Sequence, residues 1–125
     1  MSELAELLER FRRGGELLAV STTGVAGLEL DFAAAPGKWS IRQIVCHLMD
    51  SEMIGRDRLG RVIAEENPTL VWYDQNAWAT RLDYSRRKLS TAVELFRRVR
   101  TENYELIKDL PEETWQRTGN HSVLG

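Results

Sequence analysis

The 125-residue sequence contains a single cysteine, Cys46, and shows no secretory signal at its start. One thiol cannot form an internal disulfide bond, which sets the chain apart from the small secreted domains that depend on such bonds. The chain starts with Met-Ser-Glu, an acidic start that lacks the basic and apolar regions of an export signal. Both absences predict a cytoplasmic protein.

Long apolar runs and an excess of positive charge are also missing. The uninterrupted apolar stretches are only a few residues long, whereas a membrane-spanning helix needs about 20 residues. Seventeen lysines and arginines against nineteen aspartates and glutamates give a net charge of −2, which removes the general attraction to nucleic-acid phosphates. We therefore expect neither a membrane segment nor a nucleic-acid partner.

Histidine is scarce as well, since the chain has only His47 and His121. A catalytic zinc ion is as a rule held by three protein ligands, and the single cysteine adds no pair of thiolates. Adjacent helical residues point about 100° apart, so Cys46 and His47 do not converge on one ion. Cys46 is therefore predicted to be buried packing, and the histidine count limits the metal chemistry that the chain can support.

Helical periodicity covers most of the sequence, without a strand pattern or an internal repeat. Apolar residues recur three and four positions apart in three segments, which predicts helices at about residues 3–20, 40–66 and 84–110. The length fits one domain, residues 1–125. Three helices with narrow apolar seams pack naturally as an antiparallel bundle, so the predicted fold class is all-α.

The segments between these helices are predicted to be connections. Residues 21–38 are rich in glycine, and residues 69–82 form a lid or linker in which Asp74 caps one short turn. Residues 111–115 form one more turn, and residues 116–125 are predicted to be a loop.

The second predicted helix has a well-specified start and one polar residue that needs an explanation. Ser40 and Gln43 fit a capping box. At 100° per residue, Glu52 lies within about 20° of the middle of the apolar stripe, Asp50 lies on the opposite side, and His47 lies on the flank. Glu52 is predicted either to pair with an arginine of another helix or to orient a metal ligand.

Three further positions have two interpretations each. His47 is either a partly buried, hydrogen-bonded histidine or a ligand that faces the bundle interior. Asn103 lies in the heptad seam of the third helix, where it either fixes the register or binds a ligand in a groove. Gly14 and Gly15 interrupt the first helix, and we expect them to permit close packing against a neighbouring helix rather than fraying.

Three stretches, in the same order along the chain, resemble the DinB-like (YfiT-type) family of helical-bundle metalloenzymes. Residues 36–52, PGKWSIRQIVCHLMDSE, are similar to the opening of the family's second helix. Residues 72–78, WYDQNAW, look like its aromatic segment before the third helix, and residues 110–125 look like the run into its fourth helix. The resemblance covers nearly the whole chain and implies an up-down four-helix bundle.

The resemblance also implies a divalent metal, zinc or nickel, held by three histidines in a protein that is often a homodimer. His47 matches the first ligand. The other two form a His-x-x-x-His pair on the fourth helix, and residues 1–125 contain no such pair. His121 matches the histidine of a preceding His-x-x-x-Gly turn, which ends at Gly125 and is not ordinarily a ligand. We therefore expect a C-terminally incomplete domain that lacks its fourth helix and does not retain the metal alone.

Two functions are consistent with these observations, and the sequence specifies no catalytic residue for either. The first is a divalent-metal-dependent enzyme acting on a small molecule, either a hydrolase or a transferase that uses low-molecular-weight thiols. The second is a non-catalytic helical module with an incomplete metal site, which forms a homodimer through the groove left by the missing helix. Glu52, Asp74 and His121 are the other candidate ligands, and their spacing selects none of them.

Overall fold

The computed structural model describes residues 2–124, and three helices of 19, 24 and 19 residues dominate it. In chain order the elements are α1 (Glu3–Ser21), α2 (Leu28–Asp31), α3 (Ile41–Ala64), β1 (Thr69–Leu70), α4 (Gln75–Arg81), α5 (Leu89–Ile107) and β2 (Asn120–His121), with 3₁₀ turns at Tyr84–Arg86 and Glu112–Gln116. The predicted all-α class and the first two predicted helices are confirmed. None of the helices formed by residues 2–124 combines the length and apolar character that crossing a bilayer requires.

Serine side chains set the starts of α1 and α3. The hydroxyl of Ser2 accepts a hydrogen bond from the backbone N–H of Ala5 at 3.1 Å. Ser40 accepts from the backbone N–H of Gln43 at 3.2 Å, and the Gln43 side chain accepts from the Ser40 N–H at 2.9 Å. This reciprocal pair is the predicted capping box, and it fixes the first turn of the helix that carries His47.

The third long helix is shorter than the predicted segment 84–110. α5 begins at Leu89 and ends at Ile107, while Tyr84–Arg86 forms a separate 3₁₀ turn. The Tyr84 side chain is fully buried, and its hydroxyl reaches Asp50 on α3. Because this ring is buried, the backbone at Tyr84–Arg86 does not continue as a helix into α5. The periodic pattern therefore predicted the start of the third helix too early.

The central element of the bundle is α5, which packs against both α1 and α3. The core lies beneath the first half of α3 and the turn at Tyr84. It consists of the buried residues Val45, Cys46, Met49, Ala79, Tyr84, Ala92 and Phe96. Cys46 is fully buried, as predicted, and burial raises the pKa of its thiol.

Close contact between α1 and α5 depends on the glycine pair of α1. A Cβ atom added at Gly15 would lie 3.2 Å from the Cα of Arg97, and one added at Gly14 would collide with the guanidinium of Arg100. The prediction of close packing at these glycines is confirmed. At Gly55 of α3, by contrast, an added Cβ would meet no atom within 4 Å.

The same substitution should therefore have opposite effects at Gly15 and Gly55. Gly15→Ala is expected to lower the free energy of unfolding by about 1–2 kcal/mol, because an overpacking cost of about 1–3 kcal/mol outweighs the helix-propensity gain. Gly55→Ala should raise it by about 0.5–1 kcal/mol, since only the propensity gain applies. Urea denaturation of both variants and the parent shows whether each substitution raises or lowers the free energy of unfolding. A stabilised Gly15→Ala protein would contradict the close contact.

The segment 116–125, predicted to be a loop, contains the short strand β2. The prediction of a loop there and the prediction that the chain has no strands were therefore wrong. β1 and β2 pair in parallel, with Thr69 opposite Asn120 and Leu70 opposite His121. Each strand has only two residues, so neither shows the alternation by which a strand is recognised in a sequence. The pairing also joins residues that lie far apart in the chain.

Arg117 attaches this C-terminal segment to the end of α3. Its guanidinium donates to the backbone oxygens of Val62 at 2.8 Å and Glu65 at 2.6 Å. Carbonyl groups in the last turn of a helix lack intrahelical partners, so a cation that binds them stabilises the helix end. Gly125, the last residue of the predicted His-x-x-x-Gly turn, lies outside the described residues.

Candidate functional site

His47 lies on the flank of α3, where its half-buried imidazole meets aromatic and hydroxyl side chains. The Trp39 ring contacts it edge-on, with ring centroids 5.1 Å apart. The Oγ of Ser51, one turn later, lies 3.4 Å from His47 Nε2 and 2.8 Å from the hydroxyl oxygen of Tyr73. The Tyr73 ring packs against Trp78 at 4.8 Å. Neighbours from three segments thus hold the imidazole.

The protonation of His47 suits a metal ligand. Burial lowers its pKa below the ordinary value of 6.5, although the nearby charge of Asp50 opposes this shift. A metal takes the neutral form of imidazole, and burial favours that form. His47 Nδ1 is buried and has no hydrogen-bond partner within residues 2–124. A buried polar atom without a partner is uncommon in a folded protein and calls for an explanation.

Glu52 belongs to a buried ion pair on another face of α3. Glu52 is 8% exposed, and its carboxylate accepts two parallel hydrogen bonds from Arg100, at 2.7 and 2.8 Å. The Arg100 guanidinium also donates to the backbone oxygen of Phe11 and stacks 4.0 Å from the centre of its ring. The prediction that Glu52 pairs with an arginine is confirmed. Both carboxylate oxygens are occupied, so Glu52 is not placed to orient His47.

Asn103 completes the environment of this ion pair. Its side-chain nitrogen donates to Glu52 Oε2 at 2.9 Å and to the Glu52 backbone oxygen at 3.3 Å. Asn103 is 1% exposed, and its Oδ1 has no partner within the described chain. It lines an open, largely apolar groove of about 400 Å³, together with Phe11, Glu52, Gly55, Arg58, Leu59, Val62 and Leu70. The bonds to Glu52 join α5 to α3, as a role in fixing the register requires, and the ligand-binding role stays a prediction.

Asp74 and His121 are occupied by backbone groups. Asp74 Oδ1 accepts from the N–H of Ala77 at 3.1 Å and caps α4, as predicted. His121 Nδ1 accepts from the N–H groups of Val123 and Leu124 at 3.1 and 3.0 Å. Neither side chain joins His47. No group of three or more histidine, cysteine, aspartate or glutamate side chains within residues 2–124 could hold a metal ion.

These residues therefore do not form a complete metal site, because they bring together one imidazole where a catalytic zinc needs three protein ligands. The donor chemistry of His47 is suitable, but Glu52, Asp74 and His121 have other partners. That His47 is a metal ligand stays a prediction.

Two polar contacts, one buried and one half-buried, were not predicted from the sequence. Asp50 was placed opposite the apolar stripe, but it is 4% exposed and accepts a 2.5 Å hydrogen bond from the Tyr84 hydroxyl. The second contact is the Ser51–Tyr73 pair. The four-residue spacing of His47 and Ser51 could have indicated their contact, whereas nothing in the aromatic segment 72–78 singled out Tyr73.

Comparison with known proteins shows the family. The DinB superfamily profile matches residues 4–125. A protein of Oceanobacillus iheyensis, provisionally named metal-dependent hydrolase OB0782, is 33% identical over 97 residues. That match covers 78% of this chain and 56% of the relative, so the chain spans about half the relative's length. A second protein of that organism, OB0413, with the same provisional name, is 25% identical over 125 residues, which cover all of this chain and 72% of the relative.

A solved structure shows the same fold. It is YfiT from Bacillus subtilis, described as a probable metal-dependent hydrolase with an unusual four-helix bundle topology. The two superpose with a TM-score of 0.90 at 23% sequence identity, over 98% of this chain and 71% of YfiT. The order of helices around His47 and the match over residues 4–125 lead to one conclusion: the chain belongs to the DinB superfamily.

Proposed function

We propose that this chain is part of a divalent-metal-dependent hydrolase and that His47 is one ligand of the metal. One observation supports the choice of His47. Of the two imidazoles, His121 accepts hydrogen bonds from two backbone amides, whereas the hydrogen-bond contact of the His47 ring within residues 2–124 is the long one with Ser51, and burial lowers the His47 pKa in favour of the neutral ring. The provisional names of the relatives support the reaction class.

The metal would be zinc or nickel, and as a Lewis acid it would activate the nucleophile. In a hydrolase that nucleophile is water. A low-molecular-weight thiol in its place would give the transferase, which is the narrower alternative within the same proposal. His47 would contribute a neutral imidazole, while the Trp39 ring would restrict its movement.

The proposal requires two more protein ligands from outside residues 2–124, since three are needed. A longer chain or a second copy of this one would supply them. We accordingly expect the 125-residue chain, as a monomer, to lose zinc or nickel on dialysis.

Metal content tests this assignment. The product of the complete gene is expected to retain about one metal ion per active site, and His47→Ala should abolish retention because the site falls below three ligands. His121→Asn is the matched control, since it removes the other imidazole but keeps a side-chain acceptor near the same amides. Elemental analysis after dialysis gives the metal content. Full retention by His47→Ala would overturn the ligand assignment, and a metal-free gene product would overturn the proposed function.

Activity of the loaded protein separates the two reactions. Release of product from esters or amides in the absence of thiol supports the hydrolase, whereas strict dependence on a low-molecular-weight thiol supports the transferase.

The groove beside Asn103 supports a second candidate, the non-catalytic module that forms a homodimer. The groove is apolar and contains a buried acceptor without a partner, as an interface between helices would. Light scattering of the 125-residue chain over a dilution series tests it. A concentration-independent monomer would eliminate this candidate, and a stable dimer that binds no metal would favour it over the enzyme.

A further inference from the structure

The hydroxyl of Ser51 makes contacts that are unusual for a serine inside a helix. Such hydroxyls commonly bond to the carbonyl one turn earlier, as Thr101 does to the Arg97 oxygen at 3.0 Å. Ser51 Oγ instead lies 2.8 Å from the Tyr73 hydroxyl and 3.4 Å from His47 Nε2. Within residues 2–124 these two side chains are its hydrogen-bond partners. The hydroxyl therefore contacts the imidazole instead of bonding to a backbone carbonyl of its own helix.

The chemistry of the three groups gives the hydrogen bonds a direction. Either oxygen of the Ser51–Tyr73 pair could be the donor, and the phenol, which is far more acidic than an aliphatic hydroxyl, is the favoured one. With Tyr73 as the donor, the single hydrogen of Ser51 is free to donate to His47 Nε2. An accepting Nε2 places the proton of the neutral ring on Nδ1, the buried atom without a partner.

His121 provides a contrast within the same chain. Its Nδ1 accepts from two backbone amides, so the proton of its neutral ring lies on Nε2. The two histidines therefore carry their protons on different nitrogens. For His47 the arrangement leaves a buried N–H without an acceptor, which lowers the stability of the folded chain. Such unpaired buried groups are uncommon, and a functional role is one explanation for them.

We propose that Ser51 and Tyr73 are positioning residues that hold the His47 imidazole with its proton on Nδ1 and the lone pair of Nε2 toward their hydroxyls. At 3.4 Å the contact with Ser51 is longer than an ordinary hydrogen bond, so the Nε2 lone pair is only weakly engaged. This inference rests on the proposed function for what the lone pair binds. The position of the proton is a property of the metal-free chain.

The tautomers can be read directly, because the chain has only two histidines. Two-dimensional ¹⁵N–¹H spectra of the metal-free chain, recorded well above the ordinary imidazole pKa of 6.5, distinguish the two neutral forms. We expect mainly the Nδ1–H form for His47 and the Nε2–H form for His121. An Nε2–H form for His47 in the parent would overturn the proposal.

Variants show whether the hydroxyls cause this preference. Ser51→Ala should shift His47 toward the Nε2–H form, Tyr73→Phe should shift it partly, and Ser51→Thr should restore the parent spectrum. His121 serves as the internal control and should not change in any of them. Tyr104→Phe, which removes a phenol hydroxyl from α5, should leave His47 unchanged. An unaltered His47 tautomer in a folded Ser51→Ala protein would show that Ser51 is merely a packing residue.

Metal affinity distinguishes a failure of this inference from a failure of the proposed function. In the zinc-binding gene product, Ser51→Ala should weaken zinc binding by up to about 10-fold, because the tautomer whose Nε2 lone pair can bind the metal becomes a smaller fraction of the protein. If the tautomer shifts but no form of the protein binds zinc, the positioning role stands and the ligand role of His47 fails. If zinc binds equally well to the parent and to Ser51→Ala while the tautomer stays constant, the positioning role fails and the metal site stands.

Discussion

Arg100→Ala is expected to lower the free energy of unfolding by about 3–5 kcal/mol, the cost of removing one partner from a buried ion pair. The substitution leaves Glu52, which is 8% exposed, with only the side-chain nitrogen of Asn103 as a donor. It also removes the donor to the Phe11 backbone oxygen and the stacking on the Phe11 ring. All three losses act in the same direction, so this should be among the most destabilising single changes in the bundle.

Urea or thermal denaturation measures the effect, and the chain contains a matched control. Arg98 pairs with Glu94 at 3.2 Å, but the two side chains are 78% and 51% exposed. Arg98→Ala should cost no more than about 0.5 kcal/mol, because water screens an exposed pair. Equal effects of the two alanine variants would contradict a structural role for the buried pair.

A double variant separates burial of a charge from loss of contact. Glu52→Leu together with Arg100→Met replaces the pair by apolar side chains of similar size, and it should recover most of the stability lost in Arg100→Ala. A double variant that stays as unstable as Arg100→Ala would show that packing against Phe11 and Asn103 accounts for the loss.

The position of Glu52 was predictable from the sequence because it depends on helical periodicity alone. A regular helix turns by a constant angle per residue, so a carboxylate in the middle of an apolar stripe must face another helix and needs a cation there. The same reasoning placed His47 on the flank, where the structure finds it half-buried. The partner Arg100 was not predicted, because the periodicity of one helix does not show which residue of another lies opposite.

Contacts made by non-periodic segments could not be predicted in this way. Asp50 is buried because Tyr84, in a short 3₁₀ turn, folds back onto it, and Ser51 contacts Tyr73 from the segment before α4. Parallel pairing of β1 with β2 likewise depends on where two distant segments end in space. The candidate site shows the same difference. Motif order and periodicity predicted His47, whereas Tyr73, which contacts Ser51, lies in the segment before α4.

The contact between Tyr84 and Asp50 leads to a prediction about alkaline pH. Burial, and then the hydrogen bond and charge of Asp50, raise the pKa of Tyr84 well above its ordinary value of 10.0. In the unfolded chain this phenol loses its proton above about pH 10, whereas in the folded chain it stays protonated. The folded state therefore binds more protons at high pH, and the free energy of unfolding must fall as the pH rises through and beyond 10.

One such group contributes a slope of up to about 1.4 kcal/mol per pH unit. Cys46 contributes in the same direction from pH 9.0 upward, because burial raises the pKa of its thiol. The decline of the parent should therefore begin near pH 9 and steepen above pH 10. Urea denaturation at a series of pH values, with Cys46→Ala beside the parent, separates the two contributions.

Tyr84→Phe should have two effects that oppose each other as the pH rises. At pH 7 it should lower the free energy of unfolding by about 1–3 kcal/mol, because the buried carboxylate of Asp50 loses the donor at 2.5 Å. Above pH 10 its stability should decline less steeply than that of the parent, because the phenol that titrates in the unfolded chain is gone. The two stability curves should therefore converge at alkaline pH. Parallel curves would mean that Tyr84 ionises equally easily in the folded and unfolded chains, and the buried hydrogen bond to Asp50 would then be wrong.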